Sequence, residues 1–171
     1  LAVHALDPER IETLKTLDRL YGLQEDWWNQ YGMLEKLLER LTGPERLEIQ
    51  VRMGRLLEQK LGDPVRAVET YREILVTDPG RAEVLDALEG LVRAGEAAAE
   101  AFAVLEPALA ESGQWERLYV VREALADHEE DVVRKVEHLM EMGRIAAERL
   151  DQPIRAFECY RQAFLVDPLR D

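Results

Sequence analysis

The side chains that could do chemistry are few. There is one serine, Ser112, one cysteine, Cys159, and three histidines, His4, His128 and His138. Ser112 lies in Glu111-Ser112-Gly113-Gln114, the wording of a helix end, where a hydroxyl caps backbone groups instead of attacking a substrate. Cys159 has no histidine within a helical turn to take its proton, and it reads as a small, half-buried packing residue. His128 leads Glu129-Glu130-Asp131, an acidic run that suits the positive end of a helix dipole. His138, next to Glu141 and Met142, lies ten residues further on and shares no helical face with His128, and no H-E-x-x-H pair is formed. A single cysteine excludes an intramolecular disulfide framework and a cysteine-rich zinc site. No G-x-x-x-x-G-K-[ST] or G-x-G-x-x-G loop is present to cradle phosphates. Catalysis, a bound metal and a cofactor are therefore not expected.

Binding is the chemistry that remains. Two stripes at helical spacing carry charge, Glu48, Arg52, Arg55 and Gln59 in one and Glu137, Glu141, Arg144 and Glu148 in the other. Glu48 with Arg55 and Glu137 with Arg144 recur at matched places. They form either a ladder of contacts for a partner or a solvated face held by (i, i+3) and (i, i+4) pairs. Trp28 is the other candidate. Its neighbour Trp27 has a counterpart in Trp115, but Trp28 aligns with Glu116 and points about 100° away around the helix. It either anchors a partner or packs on the preceding helix. The candidate partner-binding residues are thus Trp28, Glu48, Arg52, Arg55, Glu137 and Arg144.

The net charge of −13, with four lysines, disfavours nucleic acid and anionic membrane as partners and favours a protein segment that is basic. No apolar run is long enough to span a bilayer. The start, Leu1-Ala2-Val3-His4-Ala5-Leu6-Asp7-Pro8, has neither an initiating Met nor a signal-peptide pattern. It reads as a cut end, and the expected compartment is the cytoplasm.

The elements that position these residues are helices. Ala, Leu, Glu, Lys and Arg make up more than half of the chain, and apolar residues recur at three and four. Helices are expected at 8–21, 25–42, 44–61, 64–77, 80–94, 96–112, 114–127, 130–150 and 153–166. Asp-Pro at 7–8, 63–64, 78–79 and 167–168 should cap and open helices, and Gly43, Gly62, Gly95 and Gly113 should end them. Pro107 should kink or split 96–112.

The sequence also repeats itself. Residues 46–81 align without a gap on 135–170, with 14 identities in 36 positions, a level that marks a duplicated unit. Met53-Gly54-Arg55 falls on Met142-Gly143-Arg144, and Ala67-x-x-x-Tyr71 on Ala156-x-x-x-Tyr160. A second series runs from Asp7-Pro8-x-Arg10-x-Glu12-x-Leu14-x-x-Leu17-x-x-Leu20 to Asp78-Pro79-x-Arg81-x-Glu83-x-Leu85-x-x-Leu88-x-x-Leu91. Downstream of it, Trp27-x-x-x-Tyr31 matches Trp115-x-x-x-Tyr119 after 17 extra residues, room for one inserted helix. An odd number of helices between Asp78 and Arg134 would break the two-helix rhythm near 94–115. Gly54 and Gly143 should admit a close partner helix, with Ala67 and Ala156 facing them and the tyrosines filling space between hairpins.

On these residues, 44–79 and 133–168 resemble tetratricopeptide repeats, with Met-Gly-x-x-Leu/Ala in the first helix, Ala-x-x-x-Tyr in the second and a closing Pro. The leading Trp of that pattern is replaced by Gln50 and Leu139. The wording Gly62-Asp63-Pro64 through Asp78-Pro79 is similar to long bacterial arrays of this family. The resemblance implies an all-α, right-handed α-solenoid, 1–171, built from a helix pair at 8–42, a repeat at 44–79, a helix pair with an inserted helix at 80–127 and a repeat at 130–168, excised from a longer array. It implies a protein-binding scaffold. A structural spacer within a larger protein, or an accessory module to an enzyme domain elsewhere in the parent chain, is the other reading. The Asn and Lys with which the family clamps terminal carboxylates are missing from these helices.

Overall fold

Helix punctuation organises the chain. The computed structural model describes residues 10–168 and, among them, holds helices joined by short turns and no strands. The elements are α1 (Ile11–Leu23), α2 (Trp27–Leu38), α3 (Gly43–Leu56) running on into a π turn at Leu57–Leu61, α4 (Pro64–Thr77), α5 (Ala82–Ala94), α6 (Ala98–Glu111), α7 (Trp115–His128), α8 (Val132–Glu148) and α9 (Pro153–Val166). The fold is all-α, as the composition and period require. The expected cap at Asp7-Pro8 lies outside the described residues.

Two compact units divide the chain, Leu1–Val84 and Leu85–Asp171, the division falling inside α5. In the first, α1 packs on α2, α2 on α3 and α3 on α4; in the second, α6 packs on α7, α7 on α8 and α8 on α9. Leu14, Leu34, Leu37, Leu57, Val68 and Ile74 are fully buried in the first unit, and Leu88, Leu91, Leu105, Leu109 and Val121 in the second. No described helix is long and apolar enough to cross a membrane.

Some of the punctuation differs from expectation. Asp63 caps α4 as read, its carboxylate accepting from Arg66 N at 3.1 Å with Pro64 in the first turn. Asp78 does not cap α5. It ends α4, its N–H donating to Ile74 O at 2.8 Å, and a turn through Pro79 and Gly80 delays the start of α5 to Ala82. Asp167 likewise ends α9, donating to Ala163 O. The same dipeptide therefore opens one helix and closes two, because an N-cap needs the preceding helix to have already stopped, as it has at the left-handed Gly62 (φ 63°). Pro107 does not split its helix; α6 runs through it from Ala98 to Glu111. Ala103, whose carbonyl loses its donor, is exposed with Pro107 on the solvent side, where water can take the donor's place.

The repeated hairpins are set by one contact. A Cβ built on Gly54 would lie 2.3 Å from the Tyr71 ring, and one on Gly143 would lie 2.5 Å from the Tyr160 ring. The atoms nearest these glycines belong to the tyrosines, not to Ala67 and Ala156 as the small-residue pairing suggested. Each tyrosine thus packs inside its own hairpin. Tyr71 is fully buried and its hydroxyl donates to Glu58 Oε2 at 2.8 Å; burial and that carboxylate push its pKa up, so it stays a neutral donor.

This yields a contrast between two glycines of the first unit. Gly54→Ala should lower stability by about 1–3 kcal/mol, the usual cost of overpacking, despite the better helix propensity of Ala. Gly32→Ala in α2, where a Cβ meets nothing within 4 Å, should raise it by about 0.5–1 kcal/mol. Urea denaturation of the two variants checks both signs.

Candidate protein-binding surface

The repeated aromatic pairs of the sequence each meet a cation that the pattern search missed. In the first unit Lys60 lies 5.0 Å over the Trp27 ring and Arg66 lies 5.0 Å over Tyr31, donating to its hydroxyl at 3.0 Å. In the second, Arg149 lies 4.6 Å over Trp115 and Arg155 lies 3.6 Å over Tyr119. Lys60 and Arg149, like Arg66 and Arg155, are 89 residues apart, so one device docks α2 on the first repeat and α7 on the second. Cys159 belongs to this device. It is buried, and its Sγ lies 3.1 Å from the Tyr119 hydroxyl. Burial first, then the thiol, pushes the Tyr119 pKa up to about 12.

Of the candidate binding residues, those on α3 are engaged within the fold. Arg52 reaches the Asp18 carboxylate of α1 at 2.7 and 2.9 Å, where Gln30 of α2 also donates at 3.0 Å. Asp18 is buried, and a buried carboxylate needs such partners. Glu48 accepts from Arg81 at 2.6 Å, Arg81 also donates to Glu83 at 2.7 Å, and Arg55 donates to Glu83 at 2.8 Å. This chain of charges ties the segment entering α5 onto α3. Arg52 and Arg55 also line a shallow cleft of about 200 Å³ with Gln59, Trp27 and Lys60. Trp28 is not in it. The Trp28 side chain is 61% exposed, so the alternative that it packs on α1 gives way to an open indole on the first turn of α2.

The second repeat presents its stripe differently. Arg144 pairs within its own helix, with Glu141 and with Glu148 at 3.6 Å. Glu137, Glu141, Arg144 and Glu148 border a groove of about 870 Å³ whose walls are Val136, Met140, Tyr160, Ala163 and Phe164, with Glu106, Arg122 and Asp167 at its edges. The apolar walls are open where the first repeat is closed. Phe157 of α9 is 64% exposed and its counterpart Val68 is 0%; Phe164 is 63% and its counterpart Leu75 is 8%. Met140 and Tyr160 are exposed, while Val51 and Tyr71 are buried. Sequence reasoning missed these residues, because at repeat positions they read as core.

Arg122 sits buried beside this groove. It bonds Glu106, lies 4.8 Å over the Phe102 ring, and has its Nη1 3.4 Å from His138 Nδ1, while its buried Nε has no hydrogen-bond partner. His138 packs edge-on to Phe102 with centroids 6.2 Å apart. The remaining groups that could react are held by local structure. Ser112 donates to Ala108 O at 2.7 Å as a helix-end cap, and His128 Nε2 lies 3.2 Å from Arg93 O. Among the described residues no three His, Cys, Asp or Glu side chains gather as a metal site. His4 lies outside them.

No family model matches the chain, and no curated protein matches it. Solved structures do. One is the crystal structure of MamA protein, 14% identical, with 95% of this chain and 94% of that chain covered and a TM-score of 0.40. Another is MamA 41-end from Desulfovibrio magneticus RS-1, 18% identical, with 98% and 99% covered and a TM-score of 0.39.

The half-buried His138 makes stability depend on pH. Burial, then the Arg122 charge, lowers the His138 pKa below its ordinary 6.5, against the pull of Glu129, Glu137 and Glu106. The unfolded chain therefore takes the proton first as pH falls, and stability is lost from pH 6.5 down through the lowered value. Glu141, held below its ordinary 4.5 by the Arg144 hydrogen bond, adds its own loss only in more acid solution. Thermal midpoints followed from neutral pH down to the carboxylate range should fall for the native chain and fall less for His138→Gln.

Proposed function

We propose that this chain is a protein-binding scaffold of the tetratricopeptide type, without catalysis of its own, and that the groove on α8 and α9 is its principal binding surface. The observation that carries the reading is the uncovered apolar wall of Met140, Tyr160 and Phe164, at positions that are buried in the first repeat, with Phe157 also exposed on α9. Aromatic anchors in a groove with a charged rim are the usual source of affinity at protein interfaces. The rim sets the partner's chemistry. Glu106, Glu137, Glu141, Glu148 and Asp167 stand against Arg122 and Arg144 around the groove, within a chain of net charge −13. The partner segment is therefore apolar on one side and basic on the other. Arg144 orients it through its carboxylates, and Trp28 offers a separate aromatic anchor on the first unit. Glu48, Arg52 and Arg55 act mainly by holding the scaffold in register.

A panel of synthetic helical peptides of graded charge tests this. Basic amphipathic peptides should bind, and raising salt from low to physiological, which shortens the Debye length to about 8 Å, should weaken them. Phe164→Glu should reduce affinity by about tenfold or more, equivalent to at least about 1.4 kcal/mol. A preference for acidic peptides, or binding indifferent to Phe164→Glu, would refute the reading.

A further inference from the structure

Two apolar core positions of the first unit are taken by ionisable side chains in the second. In the register that places Trp27 on Trp115, buried Leu34 becomes Arg122, and in the duplicated block buried Ile49 becomes His138. The two replacements meet. Arg122 of α7 has its Nη1 3.4 Å from His138 Nδ1 of α8, bonds Glu106 of α6 through Nη2, and lies 4.8 Å over the Phe102 ring of α6. His138 packs edge-on against the same ring. An Nδ1 that faces a guanidinium in this way is the bare, accepting nitrogen of a neutral imidazole. All four side chains lie inside the second unit, where α6 packs on α7 and α7 on α8.

The pose of Arg122 is incompletely satisfied. Its Nε is buried with no hydrogen-bond partner, and an orphaned donor favours any pose that returns it to water. Three contacts hold the guanidinium in, namely Glu106, the Phe102 ring and the His138 lone pair. Protonation removes the third twice over, because imidazolium has no lone pair to offer and sets one cation against another. The charged groups facing His138 are Arg122 on α7, Glu106 on α6, Glu129 in the turn between α7 and α8, and Glu137 on α8 itself. Of these only the guanidinium opposes the proton, so moving Arg122 relieves the repulsion. An exit is at hand. Arg122 lines the groove with Glu141, and the Glu141 carboxyl, held down first by its Arg144 hydrogen bond, also feels the Arg122 charge.

We infer that His138 and Arg122 form a proton-operated latch beside the groove. With His138 neutral, Arg122 stays tucked against Phe102; with His138 protonated, it swings out to share the Glu141 carboxylate with Arg144. A carboxylate has lone pairs enough for both arginines. The rim then offers less negative charge to a basic partner, so Arg122 acts as an internal competitor and acid releases the partner. The latch itself is a property of α6, α7 and α8. Its effect on a partner rests on the groove being the binding surface, as proposed above. Linkage makes that effect reciprocal, and a bound basic segment keeps His138 unprotonated.

Nuclear magnetic resonance on the free chain tests the latch without a partner. The buried Arg122 Nε–H should give a slowly exchanging signal at about pH 7.5. On titration to about pH 5 it should be lost to solvent exchange in step with the His138 imidazole. His138→Gln, whose amide oxygen accepts from Nη1 at every pH, should keep the signal throughout. Arg122→Leu, which restores the side chain of Leu34, should leave His138 titrating with no latch to move. Helical circular dichroism at neutral pH confirms that both variants fold. The partner arm uses a Lys- and Arg-based amphipathic peptide with no group that titrates in this range. Its affinity for the native chain should fall by about threefold or more as His138 is protonated, and should change much less for either variant. An Nε–H signal that persists once His138 is fully protonated overturns the latch, and so does an affinity that falls as steeply in the variants as in the native chain. If the signal follows His138 while no basic peptide binds at either pH, the latch stands and the scaffold reading falls.

Discussion

A tyrosine ring lying on a mid-helix glycine is the contact on which each repeat of this chain depends. A glycine inside a helix costs about 1 kcal/mol against alanine, and here its missing Cβ is the space the ring occupies. With the ring seated, α3 and α4 close on each other, and so do α8 and α9. The ring also fixes what the hairpin can bury. Its two helices cover each other along one side only, and the other side is left apolar for whatever packs next. A helical repeat of this kind is an unfinished core until a neighbour stacks on it.

The devices that attach neighbours are duplicated with the hairpin. Lys60 on Trp27 and Arg66 on Tyr31 hold α2, and Arg149 on Trp115 and Arg155 on Tyr119 hold α7. Arg52 on buried Asp18 holds α1, and Arg117 on buried Glu89 holds α5 against α7. A buried carboxylate without its guanidinium would cost several kcal/mol, so these pairs fix register more than they add affinity between layers. Exposed pairs such as Arg72 with Glu69 and Arg161 with Glu158 are each worth only about 0–1 kcal/mol. The chain's many charges therefore divide into a few that position helices and a majority that keep the surface hydrated.

Much of this was legible in the residues. Most helices stand where period and glycine placed them, because amphipathic spacing and left-handed stops are local physics; α2 is the exception, stopping at Leu38, so that Gly43 opens α3 instead of ending α2. What escaped was context. Asp-Pro is the same dipeptide at 63–64 and 78–79, but only the first follows a helix that has ended, so only the first is a cap. Pro107 is tolerated because the carbonyl it orphans faces water, and exposure is not written in a triplet. Arg52, Arg55 and Glu48 looked like a binding ladder because their partners, Asp18, Glu83 and Arg81, lie up to 34 residues away in sequence. The groove escaped for the opposite reason. Phe157, Tyr160 and Phe164 occupy positions that are core in the first copy, and a pattern that says core cannot say whether the covering layer is present.

That last ambiguity is also where function enters. In a repeat architecture the surface that stabilises the next layer and the surface that binds a partner are chemically the same, an apolar wall edged with matched charges. Which it becomes depends on what is presented to it. In the first repeat the answer is internal, since Arg81 and Glu83 complete the charges of α3 at 2.6 and 2.8 Å. In the second the Arg144 guanidinium has turned back onto its own helix, onto Glu141 and Glu148. Such intrahelical pairs are weak, so an incoming carboxylate displaces them at little cost, whereas the aromatic wall beside them gains from every apolar atom it covers. In the proposed binding mode the affinity of this face lies in Met140, Tyr160 and Phe164, and its choice of partner lies in the charges around them.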